Sequence, residues 1–338
     1  MRPPRVVTVC VLGRKPTRLK HNGPSIRLLD QVVDAVIGRV DWHPVDAIVF
    51  PGGFFWSPVY VGNRSHLERA APLEALDFGQ AVMAAAYRLD AAHAGALIVV
   101  GIDSMPHSSG DHGDQMCVGF SPYGVVGIGR KVWPADGDTN WDGHPPVVCY
   151  PADFVSPHRI VTLANGSRAL LCACYDVFGV AEAIIGPTAR IRYIRYLAPD
   201  QRDEDTGAGF MAVRRRLVAE WGQLLTDQRA DVALTAVHRF QQPGRDIFWQ
   251  RHGLATASAA LGGGLAVGAA FFTDRLPDEG DRLSSPLAAC GVPREHLSQG
   301  LHRPARRFEP VAALTINGRR NGKPRALVRL FDAGTNQP

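Results

Sequence analysis

The residues best suited to do chemistry stand at the end of one apolar stretch. Residues 169–178 read ALLCACYDVF between two nearby glycines, a pattern that predicts a buried strand. The strand ends by carrying Cys174, Tyr175 and Asp176 out of the core. A free cysteine is most often a buried structural residue. The hypothesis that Cys174 is a nucleophile therefore depends on which groups lie beside it.

A lysine at the end of a second apolar stretch is the group that would activate this cysteine. Residues 125–131 read VVGIGRK, and Lys131 precedes Cys174 by 43 residues. A nearby cation favours the reactive thiolate over the thiol. The chain holds 37 lysines and arginines, of which only four are lysines. Because an ammonium is a compact point charge that the broad guanidinium fork replaces poorly, this scarcity supports a specific role for Lys131.

The order of these two motifs resembles that of the carbon–nitrogen hydrolase superfamily, the nitrilases and aliphatic amidases, whose catalytic set is Glu, Lys and Cys. Lys131 and Cys174 match the lysine and cysteine of that set. The apolar stretches at 46–51, 97–101 and 230–234 also follow the family's strand order. The resemblance extends from residue 5 to about residue 272.

The resemblance implies an α/β fold, a nitrilase-like four-layer α-β-β-α sandwich in a single domain. Residues 1–272 would form the carbon–nitrogen hydrolase-like core. Residues 273–338 would add a loop-rich extension and a C-terminal β-hairpin to the same domain. The resemblance also implies that subunits pair through their outer helices as a homodimer or a higher homo-oligomer.

One member of the family's catalytic set is missing from its expected place. Where the family has Phe-Pro-Glu, this chain reads Phe50-Pro51-Gly52, so Gly52 occupies the position of the general base. Asp103 follows the strand predicted at 97–101, next to the strand that ends at Pro51. We hypothesise that its carboxylate substitutes for the glutamate, and the competing interpretation is an aspartate that caps a turn or loop.

The resemblance implies thiol chemistry on a non-peptide C–N bond of a small amide or nitrile. Cys174 would attack the carbon and form a covalent thioester or thioimidate. Lys131 and the backbone N–H of Tyr175 would hold the charge that develops on the oxygen or nitrogen. A carboxylate would then activate water. This chemistry requires no cofactor.

Two other functions remain open at this point. The missing glutamate would suit a catalytically impaired pseudoenzyme of the nitrilase fold that acts as a binding or scaffolding protein. The sequence VFPGG at 49–53 suggests a class I amidotransferase-like hydrolase. That class sets its nucleophile in a G-x-C-x-G elbow, and CACYD at 172–176 lacks both glycines.

The composition of the chain limits which partners and which cellular compartment we expect. The 338 residues are 46% hydrophobic and carry a net charge of +5. The basic residues are scattered, which argues against nucleic acid as a partner. Six cysteines and twelve histidines show no metal-binding spacing. No signal-peptide pattern opens the sequence, and the longest apolar stretch, 257–272, is interrupted by glycines and too short to span a membrane. We expect a cytoplasmic protein that acts without metal or membrane.

The elements that would position these residues follow from apolar periodicity and turn residues. Helices are predicted at 25–40, 76–92, 211–226 and 248–260. A hairpin is predicted around Asn165-Gly166, and a second one near the C-terminus, at 311–316 and 325–331. Residues 133–157 are predicted to be an active-site loop. Strands are predicted at 6–12, 47–50, 97–101, 116–121, 123–129, 160–163, 169–174, 231–236 and 265–272.

Overall fold

The structure is a computed structural model of the 338-residue chain. The residues that it describes are 2–13, 21–59, 66–104, 114–132, 156–180, 208–241, 244, 246–277, 285–299, 307–318 and 324–336. The predicted active-site loop at 133–157 therefore falls almost entirely outside the described residues.

A core of parallel strands runs through the molecule. These strands are rich in β-branched and other apolar residues and are buried almost throughout, as expected for parallel strands covered on both faces. They are β1 (Arg5–Leu12), β2 (Ala47–Val49), β3 (Phe55–Ser57), β4 (Leu97–Ser104), β8 (Arg168–Ala173), β9 (Val232–Phe240) and β10 (Leu265–Phe272).

The remaining strands pair antiparallel at the margins of this core. Strands β5 (Gln115–Ser121) and β6 (Gly124–Arg130) continue from β4, and β7 (Ile160–Thr162) pairs with β8 around the predicted Asn165-Gly166 turn. Strand β11 (Ala288–Ala289) pairs with β10. Strands β12 (Ala312–Asn317) and β13 (Pro324–Asp332) form the predicted C-terminal hairpin.

The order of hydrogen-bonded strands is β6-β5-β4-β2-β1-β10-β9-β8-β7, and β1 joins the two halves of this path. Alternate residues of β2, β4, β8 and β9 enter one shared apolar core, which shows that the two halves face each other. This inner core includes Val49, Val99, Leu171 and Leu234. The intervening residues of the same strands point outward, as the two-residue period of a strand requires.

Helices cover the two outer faces. On one side, α1 (Gly23–Ile37), α2 (His66–Glu74) and α3 (Asp77–Ala92) pack against the first half of the strand path. On the other side lie α4 (Ala208–Asp227), a π-helical turn (Trp249–Leu254) and α5 (Ala255–Ala260). The short helix α6 (His296–Gln299) follows β11. The α/β four-layer α-β-β-α sandwich expected from the resemblance is confirmed.

Two strands are longer than their sequence pattern predicted. Strand β4 continues past residue 101 to Ser104, and β9 continues past residue 236 to Phe240. The prediction ended both strands one residue before the apolar Ile102 and Val237, which precede the polar Asp103 and His238, but the backbones remain paired with β3, β5 and β10. As a result, Asp103 and His238 lie within strands rather than in the loops that follow them.

Strand β13 pairs antiparallel with β1 over Arg5–Val11, so the C-terminal segment adds a strand to the central sheet. The division of the chain into a core at 1–272 and an extension at 273–338 stays a prediction. In the part of the chain that the structure describes, no helix combines the length and apolar character needed to cross a membrane.

Candidate active site

The chemistry-bearing residues lie at one edge of the sandwich. Strands β4, β6, β8 and β9 all run in the same direction, because β5 reverses the chain between β4 and β6. Their C-terminal ends therefore meet at the same edge. The ends of parallel strands are where α/β proteins commonly place ligand sites. This edge carries Asp103, Lys131, Cys174 and His238, with Gly52 just after β2.

Cys174 begins a turn rather than ending a strand. Strand β8 stops at Ala173, and Cys174–Phe178 forms one 3₁₀ turn. Cys174 has φ = 53°, in the left-handed region that costs a residue with a Cβ about 1–2 kcal/mol. Residues held in such conformations cluster at functional sites. A residue other than glycine is uncommon in this conformation, and only 6% of Cys174 is exposed.

Asp176 holds this turn against the end of β6. Its Oδ1 accepts a hydrogen bond from the Val132 backbone N–H at 2.8 Å, and its Oδ2 accepts one from the Ala173 N–H at 3.3 Å. Arg159 approaches Oδ2 at 3.9 Å and donates to the Arg130 carbonyl at 2.9 Å. Asp176 and Arg159 are both fully buried. One buried ion pair therefore ties the lysine segment to the cysteine turn.

Lys131 lies beside Tyr175, the residue that follows Cys174. Its ammonium is 6.0 Å from the ring centroid of Tyr175 and donates a 2.6 Å hydrogen bond to Oε1 of Gln115. Its backbone N–H donates to the Gln115 carbonyl at 2.8 Å. Only 1% of Lys131 is exposed. A buried ammonium requires hydrogen-bonding partners, and Gln115 provides a neutral one.

Glycines allow β6 to approach β8 this closely. A Cβ on Gly129 would lie 2.2 Å from the Leu171 carbonyl oxygen, and one on Gly127 would lie 2.3 Å from Cγ1 of Val161. Neither distance is possible between real atoms. Gly129 therefore allows β6, which leads to Lys131, to lie against β8, and Gly127 allows it to lie against β7.

Asp103 faces a histidine that the sequence analysis did not single out. Its Oδ1 lies 2.8 Å from Nε2 of His238, and the two side chains are 9% and 14% exposed. Asp103 lies inside β4, so the alternative interpretation as a turn cap does not describe its place. The carboxylate is hydrogen-bonded to His238, and the hypothesis that Asp103 substitutes for the glutamate stays a prediction.

His238 also forms a hydrogen bond with the side chain of Cys174. Burial by itself lowers the pKa of His238. The charges of Asp103 and Cys174 and the hydrogen bonds to both raise it by more, so the pKa is about 9 instead of the ordinary 6.5. The imidazolium is therefore the prevailing form of His238 at neutral pH. Cys174, His238 and Asp103 together form a row of thiol, imidazole and carboxylate.

The sequence contained a signal for His238 that was not used. Val232, Leu234 and Ala236 of β9 all enter the inner core, so the two-residue period places His238 on the inner face as well. Ala236 is in register with Ala173, the residue before Cys174. A polar residue on the inner face at the C-terminal end of a buried strand was the available indication.

Gly52 and Gly53 leave the room that this arrangement needs. A Cβ on Gly52 would lie 2.9 Å from Nδ1 and 3.0 Å from Cγ of His238, and 2.8 Å from the Ala236 carbonyl oxygen. A Cβ on Gly53 would lie 2.8 Å from Oδ2 of Asp103, and Gly53 has φ = 64°. The Gly52 backbone N–H donates to the Val237 carbonyl at 2.9 Å, which anchors the segment to β9.

Within the described residues, no group of three or more His, Cys, Asp or Glu side chains is arranged to hold a metal ion.

The other cysteines of the described strands have different surroundings. Burial raises the pKa of the Cys117 thiol to about 12, and it also raises the pKa of Cys172.

Comparisons with known proteins give distant structural matches. The chain is similar to a cysteine-to-serine mutant of the Nesterenkonia AN1 amidase from the nitrilase superfamily, with a TM-score of 0.48 and 13% identity over 97% of this chain and 91% of that chain. It is also similar to a glutamate-to-glutamine mutant of that amidase with acrylamide added at the active-site cysteine, with a TM-score of 0.46 and 14% identity over 96% and 92%.

A third match is a CN-hydrolase superfamily protein from Xanthomonas campestris with an arsenic adduct in its active site. Its TM-score is 0.43, with 11% identity over 80% of this chain and 77% of that chain. No protein-family model and no curated protein matches the chain.

Proposed function

We propose that this protein hydrolyses a non-peptide C–N bond of a small amide or nitrile through a thioester or thioimidate on Cys174. The observation that supports this most strongly is the setting of Cys174. The residue has a positive φ at the start of a 3₁₀ turn, at the C-terminal edge of parallel strands, and its side chain is hydrogen-bonded to an imidazole. A cysteine paired with a cationic imidazole is a recurrent means of generating a reactive thiolate.

Lys131 and the backbone N–H of Tyr175 are the groups proposed to hold the charge that develops on the substrate. The ammonium lies over Tyr175 and is fixed by Gln115. A preorganised donor of this kind can lower the barrier by roughly 3–4 kcal/mol, because it needs no reorganisation during the reaction. The reaction as proposed uses no cofactor, metal or nucleic acid, and the homodimer or higher homo-oligomer stays a prediction.

Incubation with a panel of small amides and nitriles tests the function. We expect ammonia or amine to be released together with the carboxylic acid. Rapid quenching followed by peptide mass spectrometry should find the acyl group on the peptide that contains Cys174. Cys290 is a matched internal control, because it is half-buried and its burial raises its pKa. Turnover with no adduct at Cys174, or with an adduct at Cys290 instead, would contradict the assignment.

A pseudoenzyme of the same fold is the alternative, and alkylation distinguishes it. We expect iodoacetamide near neutral pH to label Cys174 faster than Cys290, because an imidazolium and an ammonium both favour its thiolate. Lys131→Ala should slow this labelling and leave Cys290 unchanged. Uniformly slow labelling of both cysteines in the wild-type protein would favour a scaffold with an inert Cys174.

The second alternative, a class I amidotransferase-like hydrolase, fits the structure less well. A flavodoxin-like fold has one open sheet with helices on both faces. Here the two halves of the strand path face each other across an inner core. The nucleophile is followed by a 3₁₀ turn of five residues rather than by a long helix.

A further inference from the structure

We propose that His238, oriented by Asp103, is the general acid and base of the Cys174 site and takes over the work of the glutamate that Gly52 replaces. The proposal rests on the proposed function and adds to it a catalytic residue and a positioning residue. It explains how a chain without the glutamate of the Glu-Lys-Cys set can complete a C–N bond hydrolysis.

The first support is contact with the reacting atoms. His238 has two hydrogen-bonding side-chain partners, the Cys174 side chain and Asp103, with 2.8 Å between its Nε2 and Oδ1 of Asp103. Since Nε2 is engaged by Asp103, Nδ1 is the nitrogen that would exchange a proton with the reacting groups. The carboxylate fixes the ring orientation and stabilises the imidazolium, as the third member of a nucleophile–base–acid row does.

The second support is that the imidazole and a residue larger than glycine at position 52 exclude each other. A Cβ at position 52 would lie 2.9 Å from Nδ1 of His238, so the imidazole ring lies too close to position 52 for a side chain there unless one of the two groups moves. The same holds one residue later, where Asp103 fills the space beside Gly53. A glycine at position 52 and the histidine at position 238 are thus required by the same packing arrangement.

The third support is charge balance in a water-poor site. With Lys131 and His238 cationic and Asp103 and Cys174 anionic, the four groups sum to zero. The Glu-Lys-Cys set implied by the resemblance is also neutral when its glutamate is charged and its cysteine protonated. A buried site with unbalanced charge is strongly unfavourable. Asp103 supplies the negative charge that balances the imidazolium of His238.

The proton then has a complete route. The Cys174 thiolate attacks the amide carbon, a C–S bond forms, and the negative charge moves to the oxygen beside Lys131. His238 gives its proton to the leaving nitrogen, the C–N bond breaks, and the amine departs. Neutral His238 then takes a proton from water, whose oxygen attacks the thioester. The C–S bond breaks, and the carboxylic acid, the Cys174 thiolate and the His238 imidazolium are formed.

The electrostatics favour this sequence at each stage. The Cys174 charge and hydrogen bond contribute to raising the pKa of His238. Attack converts the thiolate into the uncharged, carbon-bonded sulfur of the tetrahedral intermediate, so this contribution disappears and His238 becomes a stronger acid when the leaving nitrogen needs a proton. Burial, which lowers the pKa, then helps to keep the ring neutral for the water step.

His238→Asn in the full-length protein tests the proposal. We expect turnover of a substrate amide to fall by about 10²–10⁴-fold, the usual contribution of general acid–base catalysis. The rate of Cys174 alkylation should reach its half-maximum at a pH at least about one unit higher than in the wild type. His43→Asn is the matched control, since His43 is exposed and lies before β2, at the opposite end of the strands. It should change neither quantity.

Asp103→Asn tests the positioning role separately. We expect the imidazole resonance of His238 to titrate near pH 9 in wild-type protein and at a clearly lower pH in Asp103→Asn and in Cys174→Ser. A merely structural role for Asp103 would leave this titration unchanged. Gly52→Ala supplies a second variant with an intact histidine. Its methyl group should displace the ring and reduce turnover and Cys174 alkylation without changing Cys290.

The outcomes separate this proposal from the function on which it rests. If wild-type protein turns over amides through Cys174 and His238→Asn does so equally well, the histidine assignment is overturned and the hydrolase stands. If His238 titrates near pH 9 and controls Cys174 alkylation, the assignment is supported whether or not the chosen amides react. If His238 titrates near its ordinary value in wild-type protein, the assignment is wrong.

Discussion

Replacing Cys174 by alanine is expected to lower amide hydrolysis by on the order of 10⁶-fold, as when other enzymes lose a covalent nucleophile. The reason is that no covalent intermediate can form, and the remaining groups can only bind and polarise the substrate. Cys174→Ser should also lose nearly all activity, because a hydroxyl is far less readily ionised than a thiol. Ammonia release and the absence of an acyl adduct are the measurements.

Two further variants show whether the effect belongs to the thiol. Cys290→Ala should retain full activity, since Cys290 contacts the carbonyl oxygen of Gly263 at the edge where the strands begin. Cys174→Gly should be inactive and yet more stable than Cys174→Ala by about 1 kcal/mol, because glycine adopts φ = 53° without the cost of a Cβ. Activity retained in Cys174→Ala would refute the nucleophile.

The second large effect is on stability. Asp176→Ala is expected to lower the free energy of unfolding by about 3–5 kcal/mol, the usual result of removing one partner of a buried ion pair. Asp176 accepts hydrogen bonds from Val132 and Ala173 and faces the buried guanidinium of Arg159. Its loss would remove the carboxylate that faces this cation and release the cysteine turn. Urea denaturation measures the stability, and iodoacetamide labelling reports on the turn.

Asp41→Ala is the matched control for this variant. Asp41 is paired with Arg39 at 2.9 Å, but its side chain is 62% exposed, and exposed ion pairs contribute little to stability. We therefore expect no measurable change. Should Asp176→Ala fail to fold, Asp176→Asn keeps an acceptor for Val132 and should show an intermediate loss. A loss in Asp176→Asn no larger than in Asp41→Ala would contradict the structural role.

Much of the secondary structure could be predicted because its signals are local. The apolar runs at 6–12 and 265–272, the amphipathic stretch at 76–92 and the Asn165-Gly166 turn each indicate an element within a few residues of sequence. The corresponding strands, helix and hairpin are present at nearly those bounds. The ends of β4 and β9 were predicted less well, because polar residues interrupt their apolar runs, at Asp103 and at His238 and Arg239, and pairing with neighbouring strands keeps these segments extended.

The candidate site could be predicted only in part, for a related reason. Cys174 and Lys131 each end a recognisable apolar run, so their types and spacing were visible. The hydrogen bond between Asp103 and His238 could not be predicted from the sequence, because 135 residues separate them. Their contact depends on two halves of a strand path that face each other, and no local pattern encodes that distance.

The sequence by itself determined which strands are present and which residue types lie at their ends. It also determined that position 52 has no side chain, which read alone looked like the loss of a catalytic base. Only the tertiary structure decided that His238 packs against this position, because the packing of side chains from distant strands determines which atoms lie close together. The same glycine that suggested an impaired site is the residue that admits the imidazole.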